Sequence, residues 1–411
     1  MMKNLFTFFF ILISVNILAA IRFVDPNLSS GNGTTHFNTV ASAVAASQDG
    51  DEIVLTAGSY NENTLAISTS IKLYPQNVGD AVDFGFDINI TGKAGLNVEI
   101  FDINFGSMYS QNTGSWSSNR TKVYITESSA STIDLNDNYW DLYLFQSSAT
   151  DVTFKSGAIV KSSMTNLYNY DDAGTQSGRT KIIANTVSNN TVIANDSRYV
   201  LLANNSLKNL YFNGWRQTDS EQLDESNLII NNNFSNSQIA FPLNNVSNFN
   251  IKFCNNTHSG TINYRNSTCH YTTGNNYTSS DYCDDGLYNF NTTHIPSRSS
   301  EYSTSTLYLR AGDGFFQWSY NTFTPNITNS SNAELTRISG GTGSDTGHPS
   351  HFFYDIDMTR NDVGTAGGPY STTNYPTSSG SAKAYIYYLD MPTDLFPNDN
   401  IQINAEGYHK N

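Results

Sequence analysis

Charge is scarce in this chain, and positive charge scarcest. Lys and Arg number 21 against 36 Asp and Glu in 411 residues, only 14% of the chain is charged, and the formal net charge is −15. A surface of that sign repels phosphate backbones, which excludes a nucleic-acid partner. It repels polyanionic glycans as well, unless a divalent cation or a local Arg/Lys cluster reverses the sign. Long apolar runs are missing after the first twenty residues, so no later segment is expected to span a bilayer. Cysteine is nearly absent too: Cys254, Cys269 and Cys283 form an odd set. Cys269 and Cys283 flank the loop from Tyr271 to Asn276 and are expected to bridge, leaving Cys254 packed in the repeat column of Ala184, Ala203 and Asn231. A zinc site built from Cys254, His258, Cys269, His270 and Cys283 is the other arrangement, although its spacing follows no usual zinc pattern.

The first twenty residues have the layout of a secretory leader. Lys3 is their only charge, Leu5 to Ile13 is nearly all apolar, and Leu18-Ala19-Ala20 offers small residues for cleavage. A secreted or cell-surface location is therefore expected. Little charge with much Ser, Thr, Asn and Tyr suits a β-protein and argues against a helical one.

A short phrase recurs through the middle of the chain: Ile182-Ile183-Ala184-Asn185, Leu201-Leu202-Ala203-Asn204, Ile229-Ile230-Asn231-Asn232 and Lys252-Phe253-Cys254-Asn255. Steps of 19, 28 and 23 residues between these Asn belong to a solenoid. Stacked Asn side chains can donate and accept along a column, so Asn185, Asn204, Asn232 and Asn255 are expected to form an internal ladder at one corner. Strand-like segments continue at short spacing from about residue 87, interrupted by insertions at Ser107 to Arg120, Tyr170 to Thr180, Asn213 to Ser226 and Tyr271 to Gly286. Insertions in a solenoid become lateral loops, and binding grooves arise between such loops.

Ahead of the repeats, Phe37, Val40, Ala41, Val44 and Ala45 give one apolar helical face. A Gly-Asp turn, the strand from Glu52 to Leu55 and Gly58-Ser59-Tyr60-Asn61-Glu62 follow. This stretch from Phe37 to Glu62 resembles the entry to the right-handed parallel β-helix of the pectate-lyase-like superfamily. The resemblance implies an all-β, right-handed parallel β-helix with an N-terminal helical cap and a small C-terminal β-rich segment. It carries no particular activity, since that superfamily includes lyases, hydrolases, esterases and adhesins. The expected organisation is a leader over 1–20, cap and first coil over 21–75, the β-helix over 76–310, a closing segment over 311–381 and terminal strands over 382–411. Asp355 to Gly364, followed by Gly367-Gly368-Pro369, resembles a phrase that closes the β-helix of uncharacterised secreted bacterial proteins, with Met358 where that phrase has Gly. Asp355, Asp357 and Asp362 can hold Ca²⁺ through their carboxylates, or form a hydrogen-bonded cap in which Arg360 pairs with an Asp. No other cofactor is expected. Lys383 to Leu389 and Asn400 to Asn404 read as the terminal strands.

Three constellations can carry function. Asp171 and Asp172 could divide acid and base roles in glycoside hydrolysis, but the Asn-Thr-Asp, Gly-His-Gly and Arg-x-Lys companions of β-helix polygalacturonases are absent. Lys208 and Arg216, beside Trp215, loosely resemble the bases of alginate-lyase-type members, in an acidic neighbourhood that favours a structural ion pair. The third set is aromatic: Trp116, Trp140, Trp215 and Trp318 with Tyr109, Tyr139, Tyr168, Tyr170 and Tyr211. Such rings stack on sugar C–H faces or simply pack across strands. Trp116 and Trp215 lie in inserted loops and are the expected ligand contacts, with Asp171, Asp172, Arg216 and Asp219 as polar partners. The expectation is a non-catalytic protein that binds extracellular polysaccharide, with a lyase or hydrolase in the same groove as the alternative. His348 and His351, in a Gly/Ser-rich loop, read as incidental.

Overall fold

The computed structural model describes residues 19–111, 119–170, 180–193, 200–212, 227–243, 250–266, 345–347, 353–375, 384–390 and 404–409, with short strands at 272–273, 276–277, 288–289, 306–311, 314–319 and 322–324. The chain is a right-handed parallel β-helix made of two long sheets, each of 14 strands. Strands alternate between the sheets as the chain winds and pair in parallel from coil to coil, with antiparallel pairing only where Tyr288–Asn289 and Thr306–Ala311 join the sheets among the described residues. Thus Trp140–Phe145, Ser156–Val160, Lys181–Ile183, Leu201–Ala203 and Asn227–Ile230 stack in order in the first sheet. Asn104–Gln111, Ser129–Leu135, Ser148–Phe154, Ser163–Asn169, Thr186–Ile193 and Ser206–Phe212 stack in the second. Parallel pairing runs on past residue 310, to Gly314–Ser319 and Thr322–Thr324.

Registration explains the core. In the first sheet Ile53, Leu73, Ile100, Ile125, Leu144, Ile159, Ile182, Leu202, Ile229 and Phe253 form one inward column, each all but fully buried. Each contributes about 1.5–3 kcal/mol of hydrophobic burial. The facing column of the second sheet is Met108, Ile133, Val152, Leu167, Thr191 and Leu210. Thr191 breaks its apolar run, and its hydroxyl is buried with no hydrogen-bond partner. Thr191→Val keeps the shape and removes that desolvated group, so it should stabilise the fold by about 1 kcal/mol. A urea midpoint unchanged or lowered would show that the hydroxyl is solvated after all.

The open end of the rod is covered as expected, with a changed helical face. Helix Val40–Ala46 buries Val40, Ala43 and Val44, while Ala41 and Ala45 face solvent. The helix starts only at Val40, after the Thr39 cap, so Phe37 belongs to a preceding strand and the buried face runs through Val40, Ala43 and Val44. The Glu62 carboxylate accepts the Val40 and Ala41 amides at 2.6 and 2.9 Å, satisfying N-terminal donors that the helix leaves open. Beside it, Asp51 is buried against the Arg22 guanidinium at 2.8 Å and accepts the Gln48 and Ala20 amides. Burial alone would raise its carboxyl, but those donors win and hold it below the usual range.

One polar ladder crosses the interior, and it differs from the expected one. Asn185, Asn205, Asn232 and Asn256 are its members: each backbone amide donates to the next side-chain oxygen, at 2.8, 3.0 and 2.8 Å. Three serines extend it towards the N-terminus, Ser128 to Ser147 Oγ, Ser147 to Ser162 Oγ, and Ser162 to Asn185 Oδ1. Asn204 and Asn255 are also buried, but one position earlier, at φ 56° and 57°. Asp102, Glu127, Gln146, Lys161, Ala184 and Asn231 share that left-handed conformation, one per coil. Asn tolerates it better than most residues, and the bend turns the chain from one sheet into the other. Cys254 accordingly lies in register with Ile183, Ala203 and Ile230, not with Ala184 and Asn231. It is buried as a thiol; Cys269 and Cys283 lie outside the described residues.

The closing segment turns back along the rod. Phe353, Tyr370 and Tyr375 pack on an outward-facing cluster of the first sheet that includes Val160, Ile183, Ala203, Ile230 and Cys254. Both faces of these strands are therefore buried, which is why they read as unbroken apolar runs. The terminal hairpin, Ala384–Asp390 with Asn404–His409, continues the cover. Its second strand starts where the expected one ended. Lys181 pairs with Glu406 at 2.5 Å and lies 4.6 Å from the Tyr388 ring, while Tyr388 stacks on Tyr370.

Candidate functional site

The outer face of the second sheet is the surface that gathers the aromatic candidates. Tyr109, Asp134, Thr153, Tyr168, Val192 and Tyr211 occupy one outward column in strict register. At the usual strand spacing, this column runs about 24 Å along the rod. Tyr109 is 39% exposed and Tyr170, at the strand end, 40%. The rings of Tyr168 and Tyr170 are nearly parallel and stacked, with centroids 6.1 Å apart.

The neighbouring columns are polar and already organised. Asn166 Nδ2 donates to Asp151 at 2.7 Å, Asn189 Nδ2 to Asn166 at 3.0 Å and Asn209 Nδ2 to Asn190 at 3.1 Å. Further towards the start of the strands, Asn104 donates to Asp83 at 2.7 Å, and Ser107 and Ser131 hydroxyls meet at 2.9 Å. An aromatic stripe beside rows of amides, hydroxyls and carboxylates can stack on sugar rings while bonding their hydroxyls. Burial raises the Asp134 carboxyl against the lowering effect of the Asn136 amide, and Asp137 raises it further. Tyr168 is raised by burial and then by Asp151 and Tyr170.

The inserted loops leave from this same sheet. The strands preceding residues 112–118, 171–179 and 213–226 end at Gln111, Asn169 and Phe212, all at the C-terminal edge of the second sheet. The first insertion starts later than expected, because Ser107 to Gln111 still pairs in the sheet. Trp116, Asp171, Asp172, Trp215, Arg216 and Asp219 lie outside the described residues. Lys208 is exposed on the strand that carries Tyr211. Trp140 is wholly buried in the core and is no ligand contact, and Tyr139 serves a turn at φ 67°. The side chain of Trp318 and both His348 and His351 fall outside the description. What the sequence reading missed was the alignment of Tyr109, Tyr168 and Tyr211, since unequal coil lengths hide a shared column.

Asp355, Asp357 and Asp362 do not converge on a metal; among the described residues no group of three or more His, Cys, Asp or Glu could hold one. Each carboxylate serves the backbone instead. Asp355 accepts the Gly368 amide, Asp357 the Thr359 amide at 3.0 Å and Asp362 the Asp345 amide at 2.7 Å. Arg360 Nε donates to the Gly347 carbonyl at 2.6 Å. Met358 does form the tight turn, at φ 67° with its amide on the Asp355 carbonyl at 2.9 Å. Among the described residues no helix is long and apolar enough to cross a membrane. No family model, curated protein or solved structure matches the chain.

Proposed function

We propose that this chain is exported and acts outside the cell as a non-catalytic polysaccharide-binding rod of the pectate-lyase-like superfamily. The observation that carries this reading is the tyrosine column on the second sheet, flanked by in-register rows of Asn, Ser, Thr and Asp. Its length suits an extended glycan of several sugars, with a ring at three of its six coils. The acidic balance of the chain favours a neutral glycan over a polyanionic one.

Hydrolysis has one observation in its favour. Asp134 and Asp151 are diagonal neighbours on adjacent strands, because Asp134 opposes Thr153 while Asp151 opposes Thr132. A raised carboxyl near a second carboxylate is the arrangement that glycosidases use. Screening the purified chain on a glycan array, then testing any hit for shortened or unsaturated products, separates the two readings. For binding, Tyr168→Ala should weaken a neutral oligosaccharide about fivefold, near 1 kcal/mol, with little change in melting temperature. Equal affinity in mutant and parent would remove the tyrosine face as the site.

A further inference from the structure

The tyrosine face changes charge along the rod. On the second-sheet strands from Val82–Phe84 to Ser148–Phe154 the charged residues are Asp83, Asp134 and Asp151, with no Lys or Arg among them. The next two strands, Ser163–Asn169 and Thr186–Ile193, carry no charge. Lys208 follows, three coils beyond Asp151. Asp134 stands in the tyrosine column itself, between Tyr109 and Thr153, and Asp151 stands in the neighbouring column, between Thr132 and Asn166. Both are partly exposed. As diagonal neighbours they have Cα atoms about 8 Å apart at the usual strand spacing and rise.

Neither carboxylate has a counter-ion among the described residues. Asp151 accepts Asn166 Nδ2 at 2.7 Å. Burial raises the Asp134 carboxyl, the Asn136 amide lowers it, and the one charge acting on it is Asp137, of the same sign. The buried aspartates of the first sheet differ, since Asp51 holds Arg22 and Asp141 holds Arg120. Two carboxylates make a poor metal site, because Ca²⁺ takes about six to eight oxygens and no third His, Cys, Asp or Glu joins them among the described residues. An ammonium group has three donors, which two carboxylates and the hydroxyl of Thr132 or Thr153 can accept.

We propose that the tyrosine face selects a glycan with free amino groups, holding one protonated sugar amine between Asp134 and Asp151 while neighbouring sugars lie along Tyr109 and Tyr168. This inference rests on the reading of that face as a glycan site and adds the chemical class of the glycan. Tyr109 and Tyr168 are three coils apart, about 14 Å at the usual strand spacing. The two carboxylates therefore lie under the sugars that bridge the rings. An N-acetyl group at the same place brings no charge and covers both carboxylates without answering them, so the face discriminates by repelling the wrong group as well as by attracting the right one.

The probes are fluorescein-labelled hexasaccharides of glucosamine and of N-acetylglucosamine. Each is titrated into the full chain and followed by anisotropy at about pH 6, between the ordinary carboxylate and amine ranges. The amine-bearing chain is expected to bind about tenfold more tightly, or better. Asp134→Asn/Asp151→Asn should cut that ratio to about twofold or less. Its amide oxygens keep an acceptor for Asn166, and its melting temperature checks the fold. Two charges out of a net −15 hardly alter the general attraction of the chain for cations, so the ratio reports the site. Three outcomes overturn the proposal: no preference in the parent, an unchanged ratio in the double variant, or competition by hexalysine as strong as that of unlabelled glucosamine hexasaccharide, which would make the face a site for basic polypeptide. Tyr168→Ala keeps the two readings apart. If it weakens both oligomers while the parent shows no preference, the glycan site stands and its amine selectivity falls. If neither oligomer binds the parent, the amine proposal falls and the glycan array decides the site.

Discussion

Replacing Arg120 by methionine is expected to destabilise the rod by about 3–5 kcal/mol, the usual cost of stranding one partner of a buried ion pair. Arg120 Nε meets Asp141 Oδ1 at 2.7 Å, with side-chain exposures of only 6% and 8%. Its Nη2 donates to the Trp140 carbonyl at 2.8 Å and to Ser156 Oγ at 2.7 Å. One guanidinium therefore joins three successive coils of the first sheet. Without it the Asp141 carboxylate keeps its Ser156 hydroxyl but loses its counter-charge away from water. Arg120→Met/Asp141→Leu removes both charges and should lie within about 1 kcal/mol of the parent. Lys93 and Asp49 make an ion pair at 2.9 Å too, but they are 43% and 60% exposed. Lys93→Met should cost no more than about 0.5 kcal/mol. Urea unfolding of the four proteins gives the comparison, and similar losses for Arg120→Met and Lys93→Met would show that the Arg120 pair is solvated.

Asn232→Ala is expected to cost about 3 kcal/mol, because it orphans several buried groups at once. Asn232 Oδ1 accepts both the backbone amide and Nδ2 of Asn205, at 3.0 and 2.9 Å, and its Nδ2 donates to the Leu202 carbonyl at 2.8 Å. The site is fully buried, so water does not take over these bonds. Ser147→Ala is the milder case, since Ser147 Oγ accepts only the Ser128 amide, at 3.1 Å, and donates to the Phe145 carbonyl. A loss of about 1–2 kcal/mol is expected there. If Asn232→Ala proves no worse than Ser147→Ala, the amide half of the ladder is not the stronger half. Coil stability in a solenoid is a sum of local and neighbour terms, so amide exchange should quicken most in the coils beside each mutation.

The ladder also marks how far a sequence reading reaches. Apolar pairs followed by Asn announced one coil each, and that period pointed to a solenoid. The phrase nevertheless matched Asn185 and Asn232 from one column and Asn204 and Asn255 from the next. In the doublets Asn204-Asn205, Asn231-Asn232 and Asn255-Asn256 the two residues do different work: the first takes the left-handed bend, the second enters the ladder. A slip of one residue exchanges those roles, and only strand pairing fixes it. The doublets were themselves the missed signal; in the serine half of the ladder the bend falls on Glu127, Gln146 and Lys161, and the residue after each, Ser128, Ser147 or Ser162, enters the ladder.

What the sequence by itself determined is the class and repeat of the fold, because apolar alternation and coil-length periodicity are local properties that strand geometry enforces. It also placed a covering helix before the first coil. The tertiary structure alone decided which residues share a face. Tyr109, Tyr168 and Tyr211 became one column through five successive registrations, across coils of unequal length. It alone showed why Ile183, Ala203 and Ile230 are apolar on the outward side, since Phe353, Tyr370 and Tyr375 cover them. Contacts such as Lys161 with Thr372 and Asn204 with Gly367 span 211 and 163 residues. No local preference encodes such a partner; it is set by which surfaces exclude water once the coils have stacked.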